Sequence, residues 1–385
     1  MSVTEHTVHA GMGGEVSVYV ANRIGFIELN RPGALNALTP AMIRTMHAAL
    51  EQWRSDPEVL ALVVRSQHAR AFCAGGDIRL MYEAHQRGDV DAIEQFFIAE
   101  YRLNHAIFTY PKPYLALMQG VVMGGGMGIA LGAAQTGGVR VVTSSTRMAM
   151  PETRIGLFPD VGASWFLART PGAIGRYLAV TGETIDGASA ITAGLADLWL
   201  DDAGLPGLLE GLTREPFERA QDVVRYVRRV AGTAAAAAGS AAATASLAVI
   251  RPALEHHFGQ PDVAQIFTSL AAPGEPAWAA WAEWAQQTAA AMRERSPLSM
   301  AVSLEAVTRA RSSSMAQCLR RDLDLTRSTF AQGEVIEGIR ARIIDKDQRP
   351  HWRFASIEAV PQQVVAQMFE SPWLAADHPL RDLSD

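Results

Sequence analysis

Two acidic residues stand in mostly apolar company in one short run, MPETRIGLFPDVGA at 150–163. Glu152 follows Pro151, and Asp160 follows Phe158-Pro159. A carboxylate beside Ile155, Leu157, Phe158 and Val161 is partly desolvated, which penalises its charged form. That environment suits acid–base or nucleophilic work. The ordinary structural roles for the same residues are a helix cap for one and an ion pair, for instance with Arg154, for the other.

A second stretch with chemical potential is YLALMQGVVMGGGMGIALGAA at 114–134. It is an uncharged apolar run broken by Gly124, Gly125 and Gly126. Glycines that open a helix let a ligand approach the backbone, and the first helical N–H groups have no partners within the helix. Such N–H groups favour negative charge. A phosphate cradle is one use, but neither the P-loop pattern nor GxGxxG fits these residues. The other is an oxyanion hole, in which one N–H here pairs with a second from elsewhere. AFCAGGDIR at 71–79 offers that second source in Cys73-Ala74-Gly75-Gly76-Asp77, another small-residue turn between a strand and a helix. Both turns follow strands of one expected sheet, so their ends can converge. Cys73 is a weaker candidate, a thiol nucleophile by type but better suited to a small buried site. His256-His257 beside Phe258 reads as packing rather than metal binding, and neither HExxH nor a Ser/His/Asp signature is visible.

The elements that must carry these residues follow from pattern. Residues 16–30 predict a hairpin with Asn22-Arg23 at its connection. Thr39 then caps a helix that starts at Pro40 and runs to about Arg54, with Met42, Met46, Ala49, Leu50 and Trp53 on one face. Strands are expected at 59–65, 114–119 and 139–143, a short extended piece at 147–150, and helices at 91–107, 125–131, 171–181 and 186–193. Strand, loop and helix thus repeat up to about residue 200, which predicts a parallel sheet with crossover helices. Beyond it the chain reads as helical at 262–270, 277–295, 297–311 and 315–332. Trp278, Trp281 and Trp284 form a packing stripe, and the alanine-rich run 231–245 reads as a linker or weakly packed helix.

The chain has 385 residues, 49% hydrophobic and 19% charged, with a net charge of −6. A large core is affordable, and at roughly 150 residues per domain two domains are expected, taken as 1–200 and 201–385. The absence of a basic run argues against nucleic acid as partner. Two distant cysteines make neither a disulfide framework nor a metal-ligand spacing. Residues 1–14 lack the features of a secretion signal or transit peptide, so the cytoplasm is the expected compartment. The 114–134 run is about long enough to span a bilayer and places Gly120, Gly124, Gly128 and Gly132 at four-residue spacing. Its glycine triplet and Gln119 favour a buried strand and helix instead, so no membrane partner is expected.

Taken together, AFCAGGDIR, the segment EYRLNHAI at 100–107, PKPYLALMQGVVMGGGMG, AMPETRIGLFPDVGASWFL and the tail motifs SPLSMAVSLEAV and EGIRARIIDKDQRPHW resemble the crotonase (enoyl-CoA hydratase/isomerase) superfamily over nearly the whole chain. The resemblance implies an α/β fold, a crotonase-like ββα spiral core with a mainly α-helical C-terminal region. It implies an acyl-CoA thioester as the small-molecule partner, CoA being part of the substrate, with no metal and no separate cofactor. A homo-oligomer is implied too, unless the extra tail blocks or replaces that contact.

By position the oxyanion donors would be the backbone N–H groups of Ala74 and Gly125, with Gly75, Gly76, Asp77, Gly124 and Glu100 contacting substrate. Hydratases of the superfamily carry a glutamate three residues after the oxyanion glycine, where this chain has Gly128. Their second glutamate matches Glu152, and where they have a glycine this chain has Asp160. The Glu152/Asp160 catalytic pair argues for hydrolysis over hydration, and the resemblance implies a short 3-hydroxyacyl-CoA as substrate, first of all 3-hydroxyisobutyryl-CoA in valine catabolism. The alternative is an enoyl-CoA hydratase or isomerase. The stretch between Gly128 and Met150 runs a few residues longer than the family pattern.

Overall fold

The computed structural model describes residues 14–232, 246–272 and 276–385. Beyond Gly232, the alanine-rich run lies outside the described residues. Two compact units divide the chain, Met1–Gly76 with Ala99–Met148 and Ile185–Ala248 in the first, Asp77–Ile98 with Ala149–Thr184 and Val249–Asp385 in the second. A single boundary at residue 200 is therefore not how the contacts fall. The apolar faces of the helices Leu205–Arg214 and Ala220–Ala231 are buried in the first unit, while the acidic run belongs to the second.

The first unit holds a six-stranded sheet in the order β1-β2-β3-β5-β7-β10. Its chain-ordered strands are β1 (Val16–Ala21), β2 (Ile24–Leu29), β3 (Ala61–Ser66), then, past the short β4 (Ala71–Cys73), β5 (Tyr114–Met118). They continue with β6 (Val121–Met123), β7 (Val139–Thr143), β8 (Arg147–Ala149), β9 (Ile185–Asp186) and β10 (Leu198–Leu200). β1 and β2 pair antiparallel, and their connection places Asn22 at φ 49° and Arg23 at φ 63°. Two consecutive left-handed residues are what a tight hairpin needs to match strand twist. The pairs β2–β3, β3–β5, β5–β7 and β7–β10 are parallel, as the repeat predicted. β5 and β7 are buried throughout, as expected of strands covered on both faces. Alternate residues Phe26, Val63, Leu115, Leu117, Val139 and Val141 join Leu208, Leu212 and Val223 in one apolar cluster.

A second sheet, β4-β6-β8-β9, carries the turns that matter for chemistry. β6 was hidden in the sequence because it follows β5 after a bare Gln119-Gly120 turn inside one apolar run. The 114–134 stretch is thus two strands and a short helix, and no helix of the described residues is long and apolar enough to cross a membrane. After Gly128 a 3-10 turn, Gly132–Thr136, continues the helix.

The second unit is mainly helical. The helix Pro297–Ala310 packs on Ile174–Thr181, and Glu334–Ile339 packs on a 3-10 turn, Glu152–Ile155. The expected 277–295 helix divides into a 3-10 turn, Pro276–Trp281, and the helix Ala282–Arg293. The tryptophan stripe serves packing, with Trp278 stacked on His256 at 4.3 Å and Trp284 5.9 Å from Tyr177. His257 is buried and bonded to Ser269, and burial, with help from His256, pulls it down to about 4, so it is a neutral packing residue.

Helix Pro40–Arg54 starts as its sequence predicts. The Thr39 hydroxyl accepts the Met42 N–H at 3.2 Å and donates to Glu15 at 2.6 Å. Thr39→Ala is expected to cost about 1–2 kcal/mol of stability, read as a lower denaturant midpoint at unchanged slope.

Candidate active site

In the first unit the chain leaves β4 at Cys73 and enters the turn Ala74-Gly75-Gly76. The Ala74 N–H donates to the Leu35 carbonyl at 3.0 Å, and the Gly75 carbonyl accepts the Leu38 N–H at 2.8 Å. The N–H expected to serve as an oxyanion donor is thus already spent. Gly75 adopts φ 108°, which redirects the next peptide, and the N–H that follows is that of Gly76. A Cβ built on Gly125 would stand 3.2 Å from the Gly76 nitrogen, and one built on Gly75 would stand 3.5 Å from the Gly125 nitrogen. The two glycine turns therefore converge. Among the described residues neither the Gly76 nor the Gly125 N–H has an acceptor. Gly124, at φ 50°, sets the entry to the helix Gly125–Leu131.

Glu100 enters the same place from the helix Val90–Phe108. It is only 2% exposed, and a Cβ at Gly125 would collide with its carboxylate oxygen. Cys73 lies fully buried nearby. Burial pushes its thiol up to about 12, the charge of Glu100 adds to this, and the hydrogen bond with Gly75 opposes it. A thiol held protonated is no nucleophile at neutral pH. Gly128 is buried within the helix Gly125–Leu131, with no side chain to offer.

The second unit holds the two acids of the sequence pattern. Asp77 caps the helix Ile78–Gln86, its carboxylate accepting the Leu80 N–H at 3.4 Å. Glu152 opens the 3-10 turn after Pro151, is 6% exposed, and its carbonyl accepts the Leu157 N–H at 3.0 Å. C-terminal residues clamp this turn. A Cβ on Gly338 would strike the Ile155 backbone, and the Ser296 N–H donates to the Thr153 carbonyl at 3.1 Å. The Ser296 hydroxyl in turn donates to the Glu334 carboxylate, which also accepts the Arg353 N–H at 2.7 Å.

Asp160 is 5% exposed and begins a turn in which Val161 has φ 54° and Gly162 φ 75°. A β-branched residue in the left-handed region is a genuine outlier. The Gly162 N–H donates to the Asp322 carboxylate at 2.8 Å. Asp322, in the helix Met315–Ala331, is fully buried, and burial first, then the charge of Asp160, holds its carboxyl well above the usual range. Sequence reasoning missed Asp322, which follows two arginines in RRDLDL within the expected 315–332 helix. The signal available was two aspartates two positions apart, Asp322 and Asp324, interleaved with leucines that the helix must bury.

A family profile described as enoyl-CoA hydratase/isomerase matches residues 24–369. A 3-hydroxyisobutyryl-CoA hydrolase, mitochondrial, of Xenopus tropicalis is 35% identical over 371 residues, covering 96% of this chain and 92% of that protein. A 3-hydroxyisobutyryl-CoA hydrolase-like protein 1, mitochondrial, of Arabidopsis thaliana is 35% identical, covering 89% and 82%. Among solved structures, an enoyl-CoA hydratase from Rhodobacter sphaeroides is 36% identical with a TM-score of 0.80, covering 93% of this chain and 98% of that one. A carnitinyl-CoA dehydratase from Mycobacterium thermoresistibile gives 33% and 0.81, covering 92% and 96%. The chain belongs to the enoyl-CoA hydratase/isomerase family, the crotonase superfamily.

The cytoplasmic expectation does not stand against these relatives, which are named mitochondrial. Two unpaired buried cysteines require only a reducing environment, so they could not single out the cytoplasm.

Asp322 holds its proton more tightly in the fold than in the unfolded chain, because burial and then the charge of Asp160 raise its carboxyl, so folding takes up a proton between the two values. The stability this group lends is complete below the ordinary carboxylate value of about 3.9 and is lost as pH rises through its raised folded value. Asp322→Asn is neutral at every pH. It is expected to raise Tm over the parent at about pH 7, with the gap closing toward about pH 4. Scanning calorimetry at the two pH values checks this.

Proposed function

We propose that this chain hydrolyses the thioester of a short 3-hydroxyacyl-CoA, 3-hydroxyisobutyryl-CoA first, to the free acid and CoA. The observation that carries this reading is the distribution of acids. Position 128 is a buried glycine, so it offers no carboxyl for adding water to a double bond, while Asp160 is buried in a strained turn. Near-full-length relatives named as 3-hydroxyisobutyryl-CoA hydrolases support it.

In this reading the N–H groups of Gly76 and Gly125 receive the thioester oxygen as it becomes an oxyanion. Gly75 and Gly124 shape that backbone cradle, and Glu100 contacts the substrate. Removing one such donor typically costs about 10²–10³ in rate, roughly 3–4 kcal/mol. Glu152 either attacks the carbonyl to give an anhydride or takes the proton from an attacking water. In the first case CoA leaves as the thiolate and takes up a proton, and water then cleaves the anhydride to regenerate Glu152. In the second, the tetrahedral adduct expels the same thiolate. Asp160 orients the 3-hydroxyl or moves the proton. CoA arrives with the substrate, and the reaction as written uses no metal and no separate cofactor.

The solved relatives described as a hydratase and a dehydratase favour a second reading, hydration of an enoyl-CoA. It would keep Glu152 and require another acid in place of residue 128.

Thiol release from 3-hydroxyisobutyryl-CoA, measured beside hydration of crotonyl-CoA, separates the two. The expected result is rapid thiol release with little hydration, and the reverse overturns the proposal. Glu152→Gln is expected to abolish CoA release while substrate binding survives in calorimetry, and full activity in that variant would sink the assignment. Gly125→Ala, which forces a methyl against the Glu100 carboxylate, is expected to lower kcat by about 10²-fold or more. Hydroxylamine trapping of an acyl-enzyme distinguishes the anhydride route from direct attack by water.

A further inference from the structure

The hydrolysis written above makes no use of Asp322, although it is a fully buried acid. Three observations in the second unit tie it to Asp160. Its carboxylate accepts the Gly162 N–H at 2.8 Å, at the end of the turn that Asp160 begins. Within that turn Val161, itself 2% exposed, is held at φ 54°, a conformation a valine keeps only where its surroundings over-determine it. And the same helix presses on the turn from Met315 and Leu319, leaving no room for a Cβ at Gly162.

We propose that Asp322 is a positioning residue for Asp160, fixing the direction of its carboxylate by holding the Gly162 N–H and so the strained Asp160–Val161–Gly162 turn. The inference rests on the role given to Asp160 in the proposed hydrolysis. Without the acceptor, Val161 relaxes toward ordinary backbone angles and Asp160 swings with it. The pair also has an electrostatic side. Facing Asp322 are Asp160 from the turn and Cys318, Arg321 and Asp324 from its own helix. The charge of Asp160 adds to the burial that raises the Asp322 carboxyl, so an Asp322 that keeps its proton sets no second charge against Asp160. The second oxygen of Asp322, Oδ1, has no hydrogen-bond partner among the described residues, which leaves it free to carry the proton of Asp322. When Asp322 ionises at higher pH, repulsion displaces Asp160.

The test is kcat and KM for CoA release from 3-hydroxyisobutyryl-CoA across pH, in the parent, D322A, D322N and D160N. D322A is expected to lower kcat by about 10²-fold with KM little changed, the scale of a small misplacement of a reacting group. D322N, which keeps an acceptor for Gly162, is expected to recover most of that loss. It should also lack the fall in kcat that the parent shows as pH rises through ionisation of Asp322. Parent-like kcat in D322A, or a D322N profile that keeps the parent's alkaline fall, overturns the proposal. If D322A fails to fold, the D322N profile decides alone. An inactive D160N with a fully active D322A removes only the positioning role. A fully active D160N removes the role of Asp160 itself, and this inference with it.

Discussion

The first unit's share of the proposed chemistry depends on how closely backbone approaches backbone at Gly125. Gly76 on one side and the Glu100 carboxylate on the other leave no space for a single methyl group. Such an approach is open only to glycine, and it brings two N–H groups and one acid together without any long side chain to order. Preorganised donors of this kind need not reorganise as charge develops. The strands that deliver them, β4 and β6, are three residues each and pair in parallel. Their precision comes from the sheet behind them rather than from their own length.

Much of this was legible in the sequence. The hairpin, the Thr39 cap and the buried face of its helix, the parallel order and the helix at Gly125 follow from local rules of turn, cap and period. What the sequence did not show was a matter of direction or of distance. Choosing between Ala74 and Gly76 as donor requires the φ of Gly75, which composition cannot provide, and the family motif aligns residues without orienting their peptides. β6 was masked by continuity of apolar character with β5. Asp322 lies far along the chain from Asp160, and its burial is a property of tertiary packing, invisible in a segment rich in arginine.

Relatives with hydratase names and relatives with hydrolase names share one scaffold, so the scaffold alone does not choose the reaction. Both reactions begin by drawing charge onto a thioester oxygen, so the oxyanion role proposed for the glycine turns suits either. They diverge in where the acids stand. The proposed hydrolysis rests on a missing carboxyl at position 128 and a carboxyl at 160. It demands a turn able to hold an acid out of water, and the C-terminal helices, whose residues seat against the Glu152 and Asp160 turns, supply the packing for it.

The interleaving of the two units along the chain has a consequence for biosynthesis. Each is assembled from three separate segments, and the last strand of the six-stranded sheet arrives only at residues 198–200. The second unit cannot close around Gly162 before the helix Met315–Ala331 has been made. The second unit therefore waits longest, since its final segment, Val249–Asp385, follows the whole of the first. Contacts of such long sequence separation are slow to form, and unfinished intermediates expose strand edges and apolar surface. Early segments of the second unit, Asp77–Ile98 and Ala149–Thr184, thus stay without their packing partners until the helix Met315–Ala331 has been made.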